Sequence, residues 1–169
     1  LKDIFDQEGI KNEIIESGPG RGNFIARLKS TDNKPPLLLL SHIDVVPAEE
    51  EKWTYPPFSG KIVGKEIWGR GALDCKSLGI MEALVIILLK KINAPLTRDV
   101  VMAATADEEK GGQSGVVWLC KNRPEFNRFA VVINEGGGIG IARKKNNFYL
   151  CQAGEKGACW FRIIFKGTP

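Results

Sequence analysis

Four places in this sequence put side chains able to bind a metal or move a proton directly after an apolar run. His42-Ile43-Asp44 follows Leu37–Leu40, and Asp74 follows the glycines of Gly69-Arg70-Gly71. Asp107-Glu108-Glu109 follows RDVVMAATA, and Glu135 follows FAVVI and Asn134. Imidazole and carboxylate groups are the nitrogen and oxygen donors of zinc and similar cations. Along a strand alternate side chains share a face, so His42 and Asp44 point the same way, and the carboxylate can steady one imidazole nitrogen while the other stays free. Each feature also has a plain structural reading. A histidine after an apolar strand is often a hydrogen-bonded core residue, Asp74 could simply cap a helix, and three acids beside Gly111-Gly112 could be a solvated loop. The repetition argues against all of these together, because an open α/β sheet gathers its functional groups at the carboxyl ends of its strands.

The elements that must position these groups follow from periodicity. Leu1–Glu8 has the spacing of a helix end capped at Gly9. Asn12–Ser17 and Asn23–Lys29 read as paired strands around Gly18-Pro19-Gly20. Leu37–Ser41 is a buried strand, and the aromatic, proline-rich Trp53–Phe58 is a packed irregular loop. Lys61–Val63 and Glu66–Trp68 form a hairpin around Gly64-Lys65 that delivers Gly69–Asp74. An apolar helix runs from about Ser77 to Lys91, which places Asp74 on a loop at its entrance. Arg98–Ala106 and Phe129–Ile133 are two more buried strands, separated by a helix at about Ser114–Lys121. Glu108 and Glu109 can serve one site only where the strand ladder has ended and the chain turns. Ile139–Arg143, Phe148–Ala153 and Ala158–Phe165 alternate as further strands, with a turn at Glu155-Lys156-Gly157. No internal repeat divides the chain, which reads as one domain.

Composition narrows the functional classes. The 169 residues are 43% apolar and 26% charged, as in an ordinary globular domain. A net charge of +4 with scattered basic residues gives no reason to expect nucleic-acid or membrane partners. Four cysteines without a CxxC pair suggest neither a disulfide framework nor a cysteine-based zinc site, so a reducing, cytoplasmic setting is expected. The apolar run Ala83–Leu89 is far too short to span a bilayer. Gly69-Arg70-Gly71 lacks the third glycine of a dinucleotide fingerprint, and no phosphate loop with Lys-Ser/Thr is present, which leaves a nucleotide-binding domain as a minor alternative.

Taken in order, SHIDVVP, WTYPPFSG, IWGRGALDCKS, ATADEEKGG, INEGGG and EKGACWFRIIFKGTP resemble the di-zinc metallopeptidase and amidohydrolase superfamily of aminoacylases, acetylornithine deacetylases, succinyl-diaminopimelate desuccinylases and related carboxypeptidases. The resemblance covers essentially the whole chain. It implies an α/β fold with a mixed, mostly parallel central sheet flanked by helices. It implies two Zn2+ ions, with Co2+ or Mn2+ as alternatives, and hydrolysis of amide bonds in N-acyl amino acids or small peptides. Carried over residue by residue, it makes Asp74 the carboxylate bridging both ions, with His42 and Glu135 on one and Glu109 on the other. Asp44 would orient His42, Glu108 would be the general base, and the Asp74–Cys75 peptide bond would be cis. Cys75 stands where the family usually has methionine or an acid, and is expected to be an inert packed thiol.

The family closes its second zinc site with a histidine, and His42 is the only histidine of this sequence. Family members also carry a lid or dimerisation domain after a Gly-Thr-Pro-like segment, and the sequence ends at Gly167-Thr168-Pro169. The expectation is that residues 1–169 form the N-terminal portion of a truncated catalytic domain. By itself it would bind metal weakly and hydrolyse little, with dimerisation left to the absent lid. The competing class is a non-catalytic binding or regulatory domain that keeps the fold.

Overall fold

The computed structural model describes residues 1–167 apart from Gly137, Ile139, Lys145, Ala153, Glu155, Lys156, Ala158 and Trp160. Internal contacts divide the chain into two units, residues 1–135 and 136–169. The first contains a short helix α1 (Lys2–Gln7), strands β1 (Lys11–Glu16), β2 (Gly22–Leu28) and β3 (Leu37–His42), and a hairpin of β4 (Lys61–Val63) with β5 (Glu66–Trp68). Helix α2 (Ser77–Lys91), strand β6 (Val100–Thr105), helix α3 (Val116–Asn122) and strand β7 (Val131–Ile133) complete it.

Five strands form a mixed sheet in the order β1-β2-β6-β3-β7. The pairings β1–β2 and β2–β6 are antiparallel, whereas β3 runs parallel to both β6 and β7. This mixed sheet flanked by helices is the α/β class read from the sequence, but with two parallel and two antiparallel pairings among the described strands it is not mostly parallel. Period-two alternation gives each face its own core. Phe24, Ala26, Leu39, Val100, Met102 and Ala104 pack on one side against Phe5 of α1 and Ala83 and Ile86 of α2. Ile25, Leu38, Val101 and Ala103 pack on the other against Leu119 of α3 and Phe126. Every residue of β6 is buried, as expected of a central strand covered on both faces.

Three expectations about the strands need correction. Phe129–Ile133 reads as a buried strand, yet Val131, Val132 and Ile133 are all about half exposed. Among the described residues β7 is an edge strand paired only to β3, so an apolar run alone did not secure burial. In the second unit β8 (Gly140–Arg143) and β9 (Asn146–Tyr149) form an antiparallel hairpin, which displaces the strand expected at Phe148–Ala153 towards the N-terminus. No described residue of the expected strand Ala158–Phe165 is in a ladder, and Phe161 and Phe165 are 80% and 89% exposed. Alternation without a partner strand does not make a sheet. Ala153, Ala158 and the turn residues Glu155 and Lys156 lie outside the described residues.

Candidate metal centre

Strands β3, β6 and β7 run parallel, so their carboxyl ends lie along one edge of the sheet and deliver His42, the 106–115 loop and Glu135 there. Asp74 arrives by a different route. Gly71 turns the chain in the left-handed region (φ +81°), and a Cβ there would lie 2.5 Å from Val45 Cγ1, so only glycine fits. An irregular turn over Ala72–Lys76 leads into α2, with Asp74 in extended geometry (φ −112°, ψ 100°). The Asp74–Cys75 bond is cis, as the resemblance implies.

These elements bring a fully buried imidazole against three carboxylates. His42 Nε2 lies 2.9 Å from Asp74 Oδ1, 3.5 Å from Glu135 Oε2 and 3.8 Å from Glu108 Oε2. Nδ1 lies 2.9 Å from the main-chain carbonyl of Asp44, a group that only accepts, so Nδ1 carries a proton. In a neutral ring the Nε2 lone pair would therefore face negative oxygens. Either a proton or a shared cation relieves that repulsion. Burial pulls the His42 pKa down. The hydrogen bond to Asp74, the Asp44 carbonyl and the charges of Glu135 and Glu108 outweigh it and hold the imidazole above its ordinary value.

The donor set fits a cation. Ligand atoms of His42, Asp74, Cys75 and Glu135 all lie within 4.8 Å of one another. A tetrahedral ion with bonds of about 2.0–2.3 Å requires donors roughly 3.3–3.8 Å apart. The Asp74 side chain, 67% exposed, leaves the centre open to solvent.

The remaining expected residues take distinct positions. Asp44 meets the imidazole mainly through its carbonyl, its carboxylate being 3.5 Å from Nδ1. Because β3 stops at His42, the alternation rule does not extend to Asp44. Its carboxylate instead accepts the backbone N–H groups of Glu108 (3.0 Å) and Glu109 (3.2 Å), fixing the turn that carries both acids. Glu108 is half exposed and beside the cluster without belonging to it. Burial raises its pKa, and the charges of Glu135, Glu109 and Asp44 add to that against the opposing pull of His42. Glu109 is not in the cluster.

Cys75 lies within the cluster as the packed thiol that the residue pattern suggests. Its buried Sγ accepts the His42 N–H at 3.3 Å and lies 3.5 Å from the His42 carbonyl. Burial, chiefly, pushes the thiol up to about 12, so it is neutral near pH 7 and packs behind the imidazole. All four cysteines are free. No described helix is long and apolar enough to cross a membrane.

Residues 38–145 match the profile of peptidase family M20/M25/M40. The chain is 43% identical over 144 residues to a probable succinyl-diaminopimelate desuccinylase of Staphylococcus aureus, covering 83% of this chain and 34% of that protein. It is 35% identical over 173 aligned positions to aminoacylase-1 of Sus scrofa, covering 100% of this chain and 41% of that protein. Among solved structures, an M20 family metallo-carboxypeptidase of Sulfolobus solfataricus superposes with a TM-score of 0.67 at 26% identity, over 82% of this chain and 31% of that one. The chain thus spans about a third of the length of the relatives it matches.

Proposed function

The chain belongs to peptidase family M20/M25/M40, and from that premise we propose that it supplies the metal-binding edge and the general base of a metal-dependent hydrolase. Its substrates would carry an amide bond, as in N-acyl amino acids or small peptides. The names of its relatives, a desuccinylase, an aminoacylase and a metallo-carboxypeptidase, support that substrate class. The single observation carrying the reading is the His42 imidazole, fixed by a carbonyl on one nitrogen and ringed by Asp74, Glu135 and Glu108 on the other.

His42, Asp74 and Glu135 would hold one zinc ion, and Asp74 with Glu109 would serve a second. When bound, the metal supplies a water acidified towards neutral pH and a positive charge to polarise the scissile carbonyl. Glu108, outside the ligand set and within 4 Å of His42, would take a proton from the attacking water and deliver it to the leaving nitrogen. The Asp44 carboxylate holds the Glu108 main chain, and the Asp44 carbonyl holds the ring that faces it. We further propose that residues 1–169 are the front part of a catalytic domain, in a reducing cytoplasmic setting that suits four unpaired cysteines.

In the whole protein, Glu108→Gln is expected to lower kcat on N-acyl amino acids or dipeptides by at least about a thousandfold while metal content by mass spectrometry stays near parental. Parental turnover in that variant would remove Glu108 from the base role. A metal-loaded parent that cleaves no amide in either class would overturn the reading itself.

A further inference from the structure

The 106–115 loop carries Glu108, and its two ends are joined by a side chain from the other half of the sheet. Asn23 lies on β2 just beyond the last pair of the β2–β6 ladder, Phe24 with Ala104. Its side chain is completely buried. Asn23 Oδ1 accepts the Ala106 N–H at 3.1 Å, at the start of the loop. Nδ2 donates to the Ser114 carbonyl at 3.0 Å, at its end, with Ser17 Oγ at 3.2 Å and the Ile15 carbonyl at 3.3 Å as further acceptors. The Ser17 hydroxyl also donates to the Ser114 carbonyl.

The neck these bonds close leaves no space. A Cβ on Gly115 would lie 1.9 Å from the Ala106 carbonyl oxygen, so the loop can close this tightly only with glycine there. Asp107 adopts a left-handed backbone (φ +69°), and its carboxylate accepts the Ser114 N–H at 3.0 Å. Glu108 follows immediately. Its N–H is held from the metal side by Asp44, and the neck behind it is held by Asn23.

We propose that Asn23 is a positioning residue for the reaction: its amide acts as a strand partner that ends the sheet and closes the 106–115 loop, setting where the Glu108 carboxylate stands. The inference rests on the reading of Glu108 as the general base. A misplacement of about 1 Å in a reacting group costs on the order of a hundredfold in rate. Asn23 touches none of His42, Asp74 and Glu135, so its removal leaves that donor set intact, whereas Glu109, carried by the same loop, moves with Glu108.

The test uses the metal-loaded whole protein. Asn23→Asp keeps the shape and the acceptor for Ala106 but sets an oxygen against the Ser114 carbonyl. It is expected to lower kcat about 100-fold, with KM and the affinity for the first metal ion, held by His42, Asp74 and Glu135, within about twofold of the parent. The Glu108 and Glu109 amides are expected to exchange at least about tenfold faster by hydrogen–deuterium exchange. Ser17→Ala, a milder opening of the same neck that folds more readily, should show the same pattern at about a three- to tenfold loss in kcat. Phe5→Leu, a core change on α1, lowers thermal stability and keeps kcat. The proposal is overturned if kcat of Asn23→Asp or Ser17→Ala stays parental while Glu108→Gln is inactive, or if Phe5→Leu loses kcat in proportion to its stability. If Glu108→Gln remains active, the base reading has failed independently. The exchange rates then decide: faster exchange supports the loop-closing role, and unchanged rates overturn it.

Discussion

The two ends of the parallel strands treat their acids in opposite ways. At the amino end, the nearly buried Asp99 carboxylate is met by Arg27 Nε at 2.6 Å, Lys29 Nζ at 3.4 Å and the Ser30 N–H at 2.7 Å. Burial would raise its pKa, but the Ser30 N–H and the Arg27 and Lys29 charges win and hold it below the ordinary carboxylate value. At the carboxyl end, Asp74, Glu108 and Glu135 approach a single imidazole, and no lysine or arginine pairs with them among the described residues. An acid that serves only the fold is saturated with donors. A set of acids left short of positive charge around a fixed imidazole is a site prepared for a cation.

The comparison breaks most visibly if the two ends respond alike to loss of one group. His42→Ala is expected to weaken zinc binding by at least about a thousandfold, or about 4 kcal/mol, in isothermal titration. Asp99→Asn should leave the affinity within about twofold. A comparable loss from both would mean that metal affinity reports folding rather than the donor set.

Stability should show the reverse. Asp99→Ala removes the carboxylate that three donors share and is expected to cost about 2–3 kcal/mol in urea denaturation. Its pH dependence has a definite sign. Because the folded pKa lies below the ordinary value of an aspartate carboxyl, the stabilisation is present above that ordinary value and is lost as pH falls through the lower, folded one. Asp99→Ala should therefore show a shallower decline below about pH 4 than the parent. An unchanged acid slope would assign it to other carboxylates.

Much of this centre is legible in the sequence because the pattern of apolar strand followed by acid recurs, and a parallel sheet turns that recurrence into proximity. His42, Asp74 and Glu135 do converge. The features that were not legible depend on contacts distant along the chain. Asn23 looks like any polar strand residue, since its decisive partners are main-chain atoms 83 and 91 positions away. Asp44 reads as a carboxylate facing histidine only if β3 continues to residue 44, and the strand ends two residues earlier. The half-exposed β7 shows the same limit for the fold: composition sets what a run of residues could bury, but its neighbours in the sheet decide whether it does.

Glu82 sharpens the contrast as a third kind of acid, one that no protein donor meets among the described residues. It sits on the inner face of α2 at 4% exposure, and among the described residues neither carboxyl oxygen has a hydrogen-bond partner; the same is true of the Ser41 hydroxyl. Burial raises its pKa to about 7 from 4.5, and Ser41 is the one group that opposes the shift. The folded state therefore holds this proton more tightly than the unfolded chain. The resulting stability is complete below about pH 4.5, declines as the pH rises to about 7 and is flat above that. A displacement of this size corresponds to about 3 kcal/mol at most, and water entry or a shift of α2 would reduce it to about 1–2 kcal/mol. Glu82→Gln cannot ionise, so it should gain that amount relative to the parent between pH 4.5 and pH 8. Taking the difference between variant and parent cancels the titrations of His42 and Glu108, which occur in both. Parallel stability curves across that range would mean that Glu82 stays charged inside the fold, and that a cation or an ordered water partners it after all.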